Sequence, residues 1–517
     1  MNWAREIASK VIEERPNEDV YTVASGISPS GFIHIGNFRE FVTVHFVAHE
    51  LKKLGKNVRF IHSFDDFDRY RKAPLNIDSS YSNYIGMPLS ALPNPFGEGS
   101  YAEYFEQKFI DEMADLGIGA EWLSQAKEYK SGRYNQYIKL ALDKRGEIFD
   151  ILSNFKTQEL TEDDKKNYYP ISVYCTECGK DFTKVTRYDG TTNEIDYTCD
   201  CGHSGTLILD DTGNIKLAWK IDWPMRWMVE RVIFEPGGKD HSAPNSSYAS
   251  GSVLVRDIFG FEPPVYAPYN FIGIKGGGDK MSSSTGNVLT ISDLLKVYDK
   301  YLILWFYAKY SPNTQFDISL DNDVIRYYSE FDRFVKAYYE GTLDEKNKEI
   351  LSLIDVPEDY LNYPGFNNLA TFLPMVSYDV EKLKSLLAKD GIDCESKYFY
   401  ERLERAKYWV ETYGVDYQIK LLEDKNEAYY VTLTDEEKNW VAKTIDIMDK
   451  EYNNSEDLQT ELYAVCKNGI LVDAELKNAQ KRYFQILYNM LLGLDKGPKL
   501  GLFLSAISSD TIKKLLN

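Results

Sequence analysis

A succession of strand, loop, helix and strand near the N-terminus restricts the fold of this chain more than any other feature of its sequence. The β-prone run Val20–Ala24 is followed by the loop SGISPSG, by a helical stretch that ends near Gly55, and by a second β-prone run at Asn57–His62. Helical stretches follow near Tyr101–Leu116 and Arg133–Ser153. Strands that alternate with helices form parallel sheets, because the chain must cross over the sheet between neighbouring strands. The sequence therefore predicts an α/β domain built on a doubly wound parallel sheet.

Composition excludes several classes of protein. The 517 residues carry a net charge of −20, which argues against a polycationic coat protein but leaves room for a local nucleic-acid site. Six cysteines are too few for a disulfide scaffold. No apolar run approaches the roughly 18 residues that span a bilayer, and the charged N-terminus does not read as a signal peptide. We therefore expect a cytoplasmic protein without membrane contact.

The segment SGISPSGFIHIGN, residues 25–37, lies between the first strand and the first long helix. The start of a helix offers free backbone N–H groups and the positive end of its dipole, which suits a phosphate. Gly26 and Gly31 allow a ligand to approach the backbone. His34 and Asn37 lie one turn apart and are candidate hydrogen-bond donors to that ligand. The alternative is an ordinary turn with a buried histidine.

A second glycine-rich segment, GIKGGGDKMSSSTGN, spans residues 273–287. Its glycines predict a flexible loop, Lys280 supplies a mobile positive charge, and Ser282, Ser283 and Ser284 supply hydroxyl donors. Such a loop can close on a polyphosphate and stabilise the charge that moves to the leaving group. The alternative is a solvated linker.

Four cysteines form two closely spaced pairs. Cys175 and Cys178 form a C-x2-C pair, Cys199 and Cys201 form a C-x-C pair, and each pair leads into a glycine. Such pairs direct thiolates at one tetrahedral Zn²⁺ ion. Because the second pair is one residue short, His203 stays open as a substitute ligand. We expect a structural zinc site in an insertion; a metal-free or redox role is the alternative.

In this order, the two glycine-rich motifs resemble the HIGH and KMSKS pair of class I aminoacyl-tRNA synthetases. Together with FDDFDRYRKAP, WKIDWPMRW, GGKDH and the ending AQKRYFQILYNMLLGLDKGPKLG, they resemble the archaeal-type, class I lysyl-tRNA synthetases over nearly the whole chain. Asn37 and Ser283 depart from the general class I motifs. Class I lysyl enzymes tolerate both departures, which favours lysine over glutamate or cysteine as the amino acid.

The resemblance implies a Rossmann-like catalytic domain that activates L-lysine with ATP and transfers it to the 3′-terminal adenosine of tRNA(Lys). Phosphoryl transfer needs positioning and charge stabilisation, with Mg²⁺ on the phosphates, and no protein nucleophile. The catalytic residues predicted on this basis are His34, Asn37, Lys280, Ser282 and Ser283. The predicted ATP-binding residues are Ser30, Gly31, His34, Gly36, Asn37, Lys280 and Met281, with Lys275 as a possible addition.

Recognition of lysine requires carboxylates and aromatic faces, because the substrate ends in a long apolar stem with an ammonium group. The candidate acids are Asp65, Asp66, Asp68, Asp222 and Asp240, and the candidate walls are Trp219, Trp223, Trp227 and Tyr269. The resemblance places Gly26, Ser28, Trp219, His241 and Tyr269 in this pocket, and we add Asp65 and Asp240 to that set. For each residue alone, core packing or a solvated side chain remains an open alternative.

The predicted domains follow the order of these motifs. They are the first half of the catalytic domain (1–165), the zinc-binding insertion (166–214), the second half with the KMSSS loop (215–295), a helical stem-contact region (296–350) and an all-helical anticodon-binding domain (351–517). Tail cations for tRNA phosphates are Lys477, Lys481, Arg482, Lys496 and Lys499, whereas Tyr483, Phe484 and Tyr488 are assigned to the core. We expect a monomer. A class I synthetase for another amino acid such as glutamate, or a non-catalytic tRNA-binding relative, are the alternatives.

Overall fold

The computed structural model describes residues 1–156, 160–211, 213–243, 245–276, 288–388, 391–414, 417–418, 420–452, 454–467 and 473–517, excluding the side chains of Asp211, Asp240 and Asp473. The chain forms two compact units. Unit 1 comprises residues 1–295, 300–318 and 343–355, and unit 2 comprises residues 296–299, 319–342 and 356–517.

Strands and helices are numbered along the chain. The strands are β1 (Tyr21–Ile27), β2 (Val58–Phe64), β3 (Glu121–Ser124), β4 (Ile171–Val173), β5 (Thr183–Asp189), β6 (Glu194–Cys199), β7 (Ser204–Ile208), β8 (Ile215–Leu217), β9 (Val232–Gly238), β10 (Val265–Tyr269), β11 (Ile272–Ile274) and β12 (Phe316–Ile318). The helices are α1 (Trp3–Glu14), α2 (Ile35–Lys53), α3 (Tyr101–Leu116), α4 (Gln125–Lys130), α5 (Asn135–Asp143), α6 (Arg145–Ser153), α7 (Glu162–Lys166), α8 (Trp219–Val229), α9 (Ser247–Asp257), α10 (Ile291–Leu295), α11 (Lys300–Lys309), α12 (Asp323–Tyr339), α13 (Glu345–Leu351), α14 (Phe366–Met375), α15 (Val380–Ala388), α16 (Lys397–Thr412), α17 (Glu427–Tyr430), α18 (Asp435–Ile447), α19 (Ser455–Ala464), α20 (Asp473–Leu492), α21 (Leu500–Ser505) and α22 (Ser509–Leu516).

A five-stranded parallel sheet organises unit 1. Its strand order is β10-β9-β1-β2-β3, and every neighbouring pair is parallel. If these five strands are numbered 1 to 5 in chain order and read from β3 to β10, their order is 3-2-1-4-5, that of a doubly wound Rossmann-like fold. The chain reverses its direction of winding between β1 and β9, so a crevice opens there beyond the carboxyl ends of the strands. The predicted fold class is confirmed.

Helices α2 and α3 begin and end where their local sequences dictate. The Ser100 hydroxyl accepts a hydrogen bond from the Glu103 N–H, and the Glu103 carboxylate accepts one from the Ser100 N–H, which forms a capping box. Gly117 ends α3 with φ at +76°, a conformation that favours glycine. Helix α2 is buried along most of its length against β1 and β2. It therefore fixes the position of its first turn relative to the crevice.

The cysteine-bearing insertion is a small antiparallel module. Strands β5, β6 and β7 form a meander, and β4 pairs with β8 where the chain enters and leaves the module. Ile195, Tyr197 and Leu207 pack into the same core as Ile221 and Trp227 of α8. The module is therefore packed against the catalytic unit, and β8 leads directly into α8.

Unit 2 is helical throughout its described residues and contains α12 and α14 to α22. Tyr483 and Tyr488 are buried in its core, and Phe484 is partly buried against it, as the sequence predicted. The expectation that everything after residue 300 is helical is wrong at one place, because Phe316–Ile318 forms β12 and pairs with β11 in unit 1. Three residues are too few to show a strand period in the sequence. In the described part of the chain, no helix is both long and apolar enough to cross a membrane.

Candidate active site

Two connected cavities lie at the carboxyl end of the parallel sheet, at the switch point between β1 and β9. The inner cavity has a volume of about 90 Å³ and the outer one of about 600 Å³. Both are lined by Gly26, Glu40, Asp65, Trp219 and His241. This is the position at which doubly wound folds bind their ligands. The structure therefore brings the ends of β1, β2 and β9 around one candidate site.

Glu40 of α2 is the acid that joins the two cavities. Its Oε1 accepts a hydrogen bond from the Gly26 N–H at 2.9 Å, and its Oε2 accepts one from the Tyr269 hydroxyl at 2.7 Å. Burial raises the pKa of Glu40 to about 8 although these two donors lower it. No salt bridge within the described residues involves Glu40. The carboxyl group is thus placed to become an anion when a cation enters the site.

Glu235 is a second acid in the wall of the inner cavity. It is buried, and it accepts hydrogen bonds from the indole N–H groups of Trp223 at 3.1 Å and Trp227 at 2.6 Å. Burial raises the pKa of Glu235 to about 7, more than the two indole donors lower it. Trp219 stacks on Trp223 with ring centroids 5.3 Å apart. The inner cavity therefore combines acids with aromatic faces, the combination that suits an alkyl-ammonium group.

The other acids near the cavities are already paired with buried cations. Asp65 accepts a hydrogen bond from Arg226 at 2.8 Å, and Asp68 lies 2.9 Å from the Lys216 ammonium group. Asp222 lies 3.3 Å from both Lys216 and Arg226. Burial alone would raise the pKa of Asp68, but Lys216 and Arg226 lower it below its ordinary value. The structure therefore places Asp222 in an internal ion network and not in the cavity walls.

Asp66 also differs from its predicted position. Its carboxylate accepts hydrogen bonds from the Ser124 hydroxyl at 2.5 Å and from the Ala126 N–H at 2.7 Å, at the start of α4. Asp66 therefore stabilises the beginning of a helix and does not line either cavity. Asp240 lies in the 3-10 turn Lys239–His241, and its side chain falls outside the description.

The first turn of α2 uses its polar groups within the protein. His34 is the N-cap, and its Nδ1 accepts the Gly36 N–H at 3.0 Å, while the Asn37 side chain accepts the His34 N–H at 3.3 Å. A Cβ atom on Gly36 would lie 2.9 Å from the His34 ring, so only glycine fits there. Since Nδ1 accepts, a neutral His34 carries its proton on Nε2. The Ile35 and Gly36 N–H groups are therefore not free for a phosphate, contrary to the sequence-based expectation.

Residues that flank the second signature segment contact this turn. The Ile35 N–H donates a hydrogen bond to the Leu289 carbonyl at 2.9 Å, directly after the segment GIKGGGDKMSSSTGN. The buried Glu112 of α3 accepts hydrogen bonds from the N–H and hydroxyl of Ser292 at 3.1 and 2.7 Å. Before the segment, Tyr269 reaches Glu40. The flanks of the predicted loop thus lie at the start of α2, whereas Lys280, Met281, Ser282 and Ser283 themselves fall outside the described residues.

The remaining predicted residues have the following positions. Gly26, Asp65, Trp219 and His241 line both cavities, and Ser28, Ser30, Asn37 and Tyr269 line the outer cavity only. Gly31, His34 and Gly36 lie in the chain beside Ser30 and Asn37 at the start of α2. The N–H of Lys275 donates a hydrogen bond to the Ile318 carbonyl.

Several charged residues at this site were not predicted from the sequence, among them Glu40, Glu235, Arg226 and Lys216. Glu40 lies among the apolar residues of FREFVTV, where one acid reads as the solvent face of a helix. Glu235 lies in the β-prone run VIFEPGG, and a charge inside an otherwise buried strand was the available signal. Arg226 and Lys216 flank the tryptophans that were recognised. Their pairing with Asp65 and Asp68 depends on long-range packing.

The four cysteines of the insertion form one cluster. Their Sγ atoms all lie within 4.8 Å of one another; Cys175 and Cys201 are 3.8 Å apart, and Cys178 and Cys199 are 3.7 Å apart. Four sulfurs about 2.3 Å from a tetrahedral zinc ion lie about 3.8 Å apart, and a disulfide would bring two of them to about 2.0 Å. The cluster therefore fits a tetrahedral metal ion without His203, whose Nε2 lies 3.3 Å from the Thr176 hydroxyl.

Two of the tail cations are already paired in unit 2. Arg482 donates a hydrogen bond to Glu437 at 2.7 Å, and Lys499 forms an ion pair with Glu456. These two side chains are thus less available for phosphates than the sequence suggested.

Comparisons with known proteins agree on one family. The family model described as class I tRNA synthetases (K) matches residues 1–356. Proteins named lysine–tRNA ligase match the full length of this chain. Those of Borrelia garinii and Pyrococcus horikoshii are 34% and 35% identical and align over 100% of this chain and 99% of their own length. The lysine–tRNA ligase of Treponema pallidum is 33% identical over 100% of this chain and 98% of its own.

Proposed function

This chain belongs to the class I (K) family of tRNA synthetases, and on that premise we propose that it is a lysine–tRNA ligase. It activates L-lysine with ATP and transfers the lysyl group to the 3′-terminal adenosine of tRNA(Lys). The observation that carries the choice of lysine is Glu40, an acid at a tryptophan-walled cavity that forms no ion pair with any described cation. A pocket for glutamate would present an unpaired arginine instead, whereas Arg226 is engaged by Asp65 and Asp222.

In this proposal the lysine side chain enters the inner cavity along Trp219 and its ε-ammonium group meets Glu40. Binding of the ammonium group converts Glu40 to a carboxylate, whose second oxygen remains held by the Tyr269 hydroxyl. Glu235 adds negative potential deeper in the cavity. The tryptophan faces cover the apolar stem of the substrate. This arrangement leaves the lysine carboxylate directed towards the outer cavity.

The reaction then follows from the positions of the two substrates. The lysine carboxylate attacks the α-phosphate of ATP, the bond to the β-phosphate breaks, and pyrophosphate leaves with its electron pair. The 2′-hydroxyl of the terminal adenosine of the tRNA next attacks the lysyl carbonyl and AMP leaves. We assign His34, Asn37, Ser30, Gly31 and Gly36 to ATP binding, and Lys280, Met281, Ser282 and Ser283 to the loop that closes over the phosphates. Mg²⁺ is expected on the phosphates.

For the cysteine cluster we propose a structural Zn²⁺ ion held by Cys175, Cys178, Cys199 and Cys201. Four protein ligands leave no open position for substrate, so the ion stabilises the insertion. One zinc per chain by metal analysis, with loss of the metal and of thermal stability in Cys178→Ser, is the expected result. A native chain without metal would contradict this assignment. Free thiols are compatible with the cytoplasm, where we place the ligase as a monomer.

The main test is ATP–pyrophosphate exchange with purified protein and single amino acids. We expect exchange with L-lysine, and charging of tRNA(Lys) when tRNA is added. Exchange with glutamate or cysteine but not lysine would overturn the specificity. Absence of exchange with any amino acid, together with tight tRNA binding, would favour the non-catalytic alternative. Lys280→Ala should strongly reduce adenylate formation while tRNA affinity stays nearly unchanged.

A further inference from the structure

Two cations at the mouth of the outer cavity have no assigned role. Arg71 and Lys72 lie in the connection between β2 and α3 and line this cavity together with Ser30 and Asn37. Both side chains are exposed. Within the described chain, no carboxylate oxygen lies within 4.0 Å of either one. The neighbouring Arg69, in contrast, pairs with Asp181 at 3.5 Å.

The acids that share this cavity do not neutralise these two cations. Asp68 pairs with Lys216 at 2.9 Å and Asp65 with Arg226 at 2.8 Å. Burial raises the pKa of Glu40 to about 8, so at neutral pH this group is largely uncharged before lysine binds. Asp222 shares Lys216 and Arg226 with these two acids, so the network keeps one negative charge, which Arg71 and Lys72 outnumber. The net charge at the outer cavity is therefore positive, in a chain whose net charge is −20. An anionic ligand is the chemistry that such a mouth selects.

The start of α2 lacks the donors that would make it a complete phosphate site. The N–H groups of Ile35 and Gly36 bind Leu289 and His34. The dipole of the helix still points its positive end at the outer cavity, but hydrogen bonds to phosphate oxygens must come from other groups. Arg71 and Lys72 offer such donors from the connection that follows β2.

We propose that Arg71 and Lys72 form a phosphate-binding site at the mouth of the outer cavity. The inference rests on the proposed function, which supplies two sources of phosphate: the triphosphate of ATP and the phosphodiester groups at the single-stranded 3′ end of the tRNA. Both present the same oxygens to a guanidinium and an ammonium group.

The experiment compares Arg71→Ala, Lys72→Ala and the double variant in two assays. The matched control is Lys10→Ala, which removes one exposed lysine of α1, paired only with Glu14, from a position outside the cavities. Pyrophosphate exchange without tRNA reports on ATP, and aminoacylation reports on ATP and tRNA together. All variants alter exposed side chains, and equal melting temperatures verify their folding. Arg71→Lys should restore part of the loss.

The two sources give different results, and both support the proposal. If the site binds ATP, the double variant raises the KM for ATP at least tenfold in both assays. If it binds the tRNA end, exchange is unchanged, the KM for tRNA rises, and the slope of log affinity against log salt falls by about 0.7 for each lost contact. Activity within twofold of Lys10→Ala in both assays would overturn the proposal.

Failure of the proposed function is distinguishable from failure of this site. If the unmodified protein shows no lysine-dependent exchange, the ligase assignment fails, and binding of inorganic pyrophosphate measured by calorimetry then decides on the site. Weaker binding by the double variant than by Lys10→Ala supports a phosphate site. Equal binding by the two proteins rejects it.

Discussion

The inner end and the mouth of the same pair of cavities hold opposite kinds of ionisable group outside the ion pairs of the described residues: acids at the inner end and cations at the mouth. At the inner end, Glu40 and Glu235 are acids whose neighbours are indole, hydroxyl and amide donors. At the mouth, no described carboxylate forms an ion pair with Arg71 or Lys72, although Arg71 is near enough to Asp68 to help lower the pKa of that acid. Between them, Asp65, Asp68 and Asp222 share two buried cations, Arg226 and Lys216. One crevice can therefore bind an ammonium group at one end and phosphate groups at the other, because acids without ion pairs lie at its inner end and cations without ion pairs lie at its mouth.

The largest expected effect comes from breaking the buried ion network between these two regions. In Lys216→Met, Asp68 loses its cation, Asp222 keeps only Arg226, and both acids stay close to the cavity. Removing one partner from a buried ion network costs about 3–5 kcal/mol of unfolding free energy. Denaturant unfolding measures this loss. Lys184→Met, an exposed change on β5 of the same module, is the control and should cost less than about 0.5 kcal/mol.

Removing the charge at the inner end should weaken lysine binding by about 100-fold. Glu40→Gln keeps the shape of the side chain and an acceptor for Tyr269, but it offers the ammonium group no charge; such losses reach about 2–5 kcal/mol in buried pairs. The KM for lysine in pyrophosphate exchange measures the effect, and the KM for ATP should stay within about threefold. An equal rise in both constants would show that Glu40 does not separate the two regions.

Lowering the pH should weaken lysine binding at pH values that leave the structure of the cavity mouth intact. The pKa of Glu40 is about 8 in the empty site, and the bound ammonium group requires the carboxylate. Binding at neutral pH therefore releases a proton, and lysine affinity rises up to about tenfold per pH unit until pH 8. Calorimetry in two buffers with different ionisation enthalpies counts the released proton. In Glu40→Gln, the pH dependence of lysine affinity should be weaker. The part that remains should follow the titration of Glu235, whose pKa is about 7.

The smallest expected effect is the difference in salt dependence between the two regions. Between about 50 and 200 mM salt, lysine affinity should change by less than about twofold, because the inner end is shielded from mobile ions. Phosphate binding at the exposed mouth should weaken several-fold over the same range. Titrations of lysine and of pyrophosphate measure both. Equal slopes would remove the physical distinction between the inner end and the mouth.

The sequence predicted the strands and helices that build this site better than it predicted how the charged side chains pair. The strand–loop–helix at residues 20–55 and the tryptophans of α8 were visible because strand runs and helical periods are local. Asp222 was a candidate for the pocket and lies in the internal network with Lys216. Local sequence contains no information on which buried cation a given acid will meet, since Lys216 on β8 and Asp68, which follows β2, are about 150 positions apart in the chain and meet only in the folded structure.

Glu40 shows the same limit of sequence-based prediction, because it is an acid of the site that was not predicted. Its importance depends on the N–H of Gly26 in β1 and the hydroxyl of Tyr269 in β10, two strands separated by the whole insertion. The cysteine cluster was predictable because ligand spacing is short and metal geometry is strict. The strand β12 was missed because three residues carry no period.

The hydrogen bond between the Ile35 N–H and the Leu289 carbonyl has a consequence for the evolution of such enzymes. It joins the first turn of α2 to the residues that follow the predicted KMSSS loop, yet it uses no side chain. Every amino acid except proline supplies this donor and every one supplies this acceptor. The hydrogen bond itself therefore tolerates any residue at position 289 and any except proline at position 35, although both side chains are also buried in the core and are constrained by packing. Because this link depends only on the backbone, it is kept as long as the backbone conformation is kept. A comparison of side chains in related sequences would not reveal it.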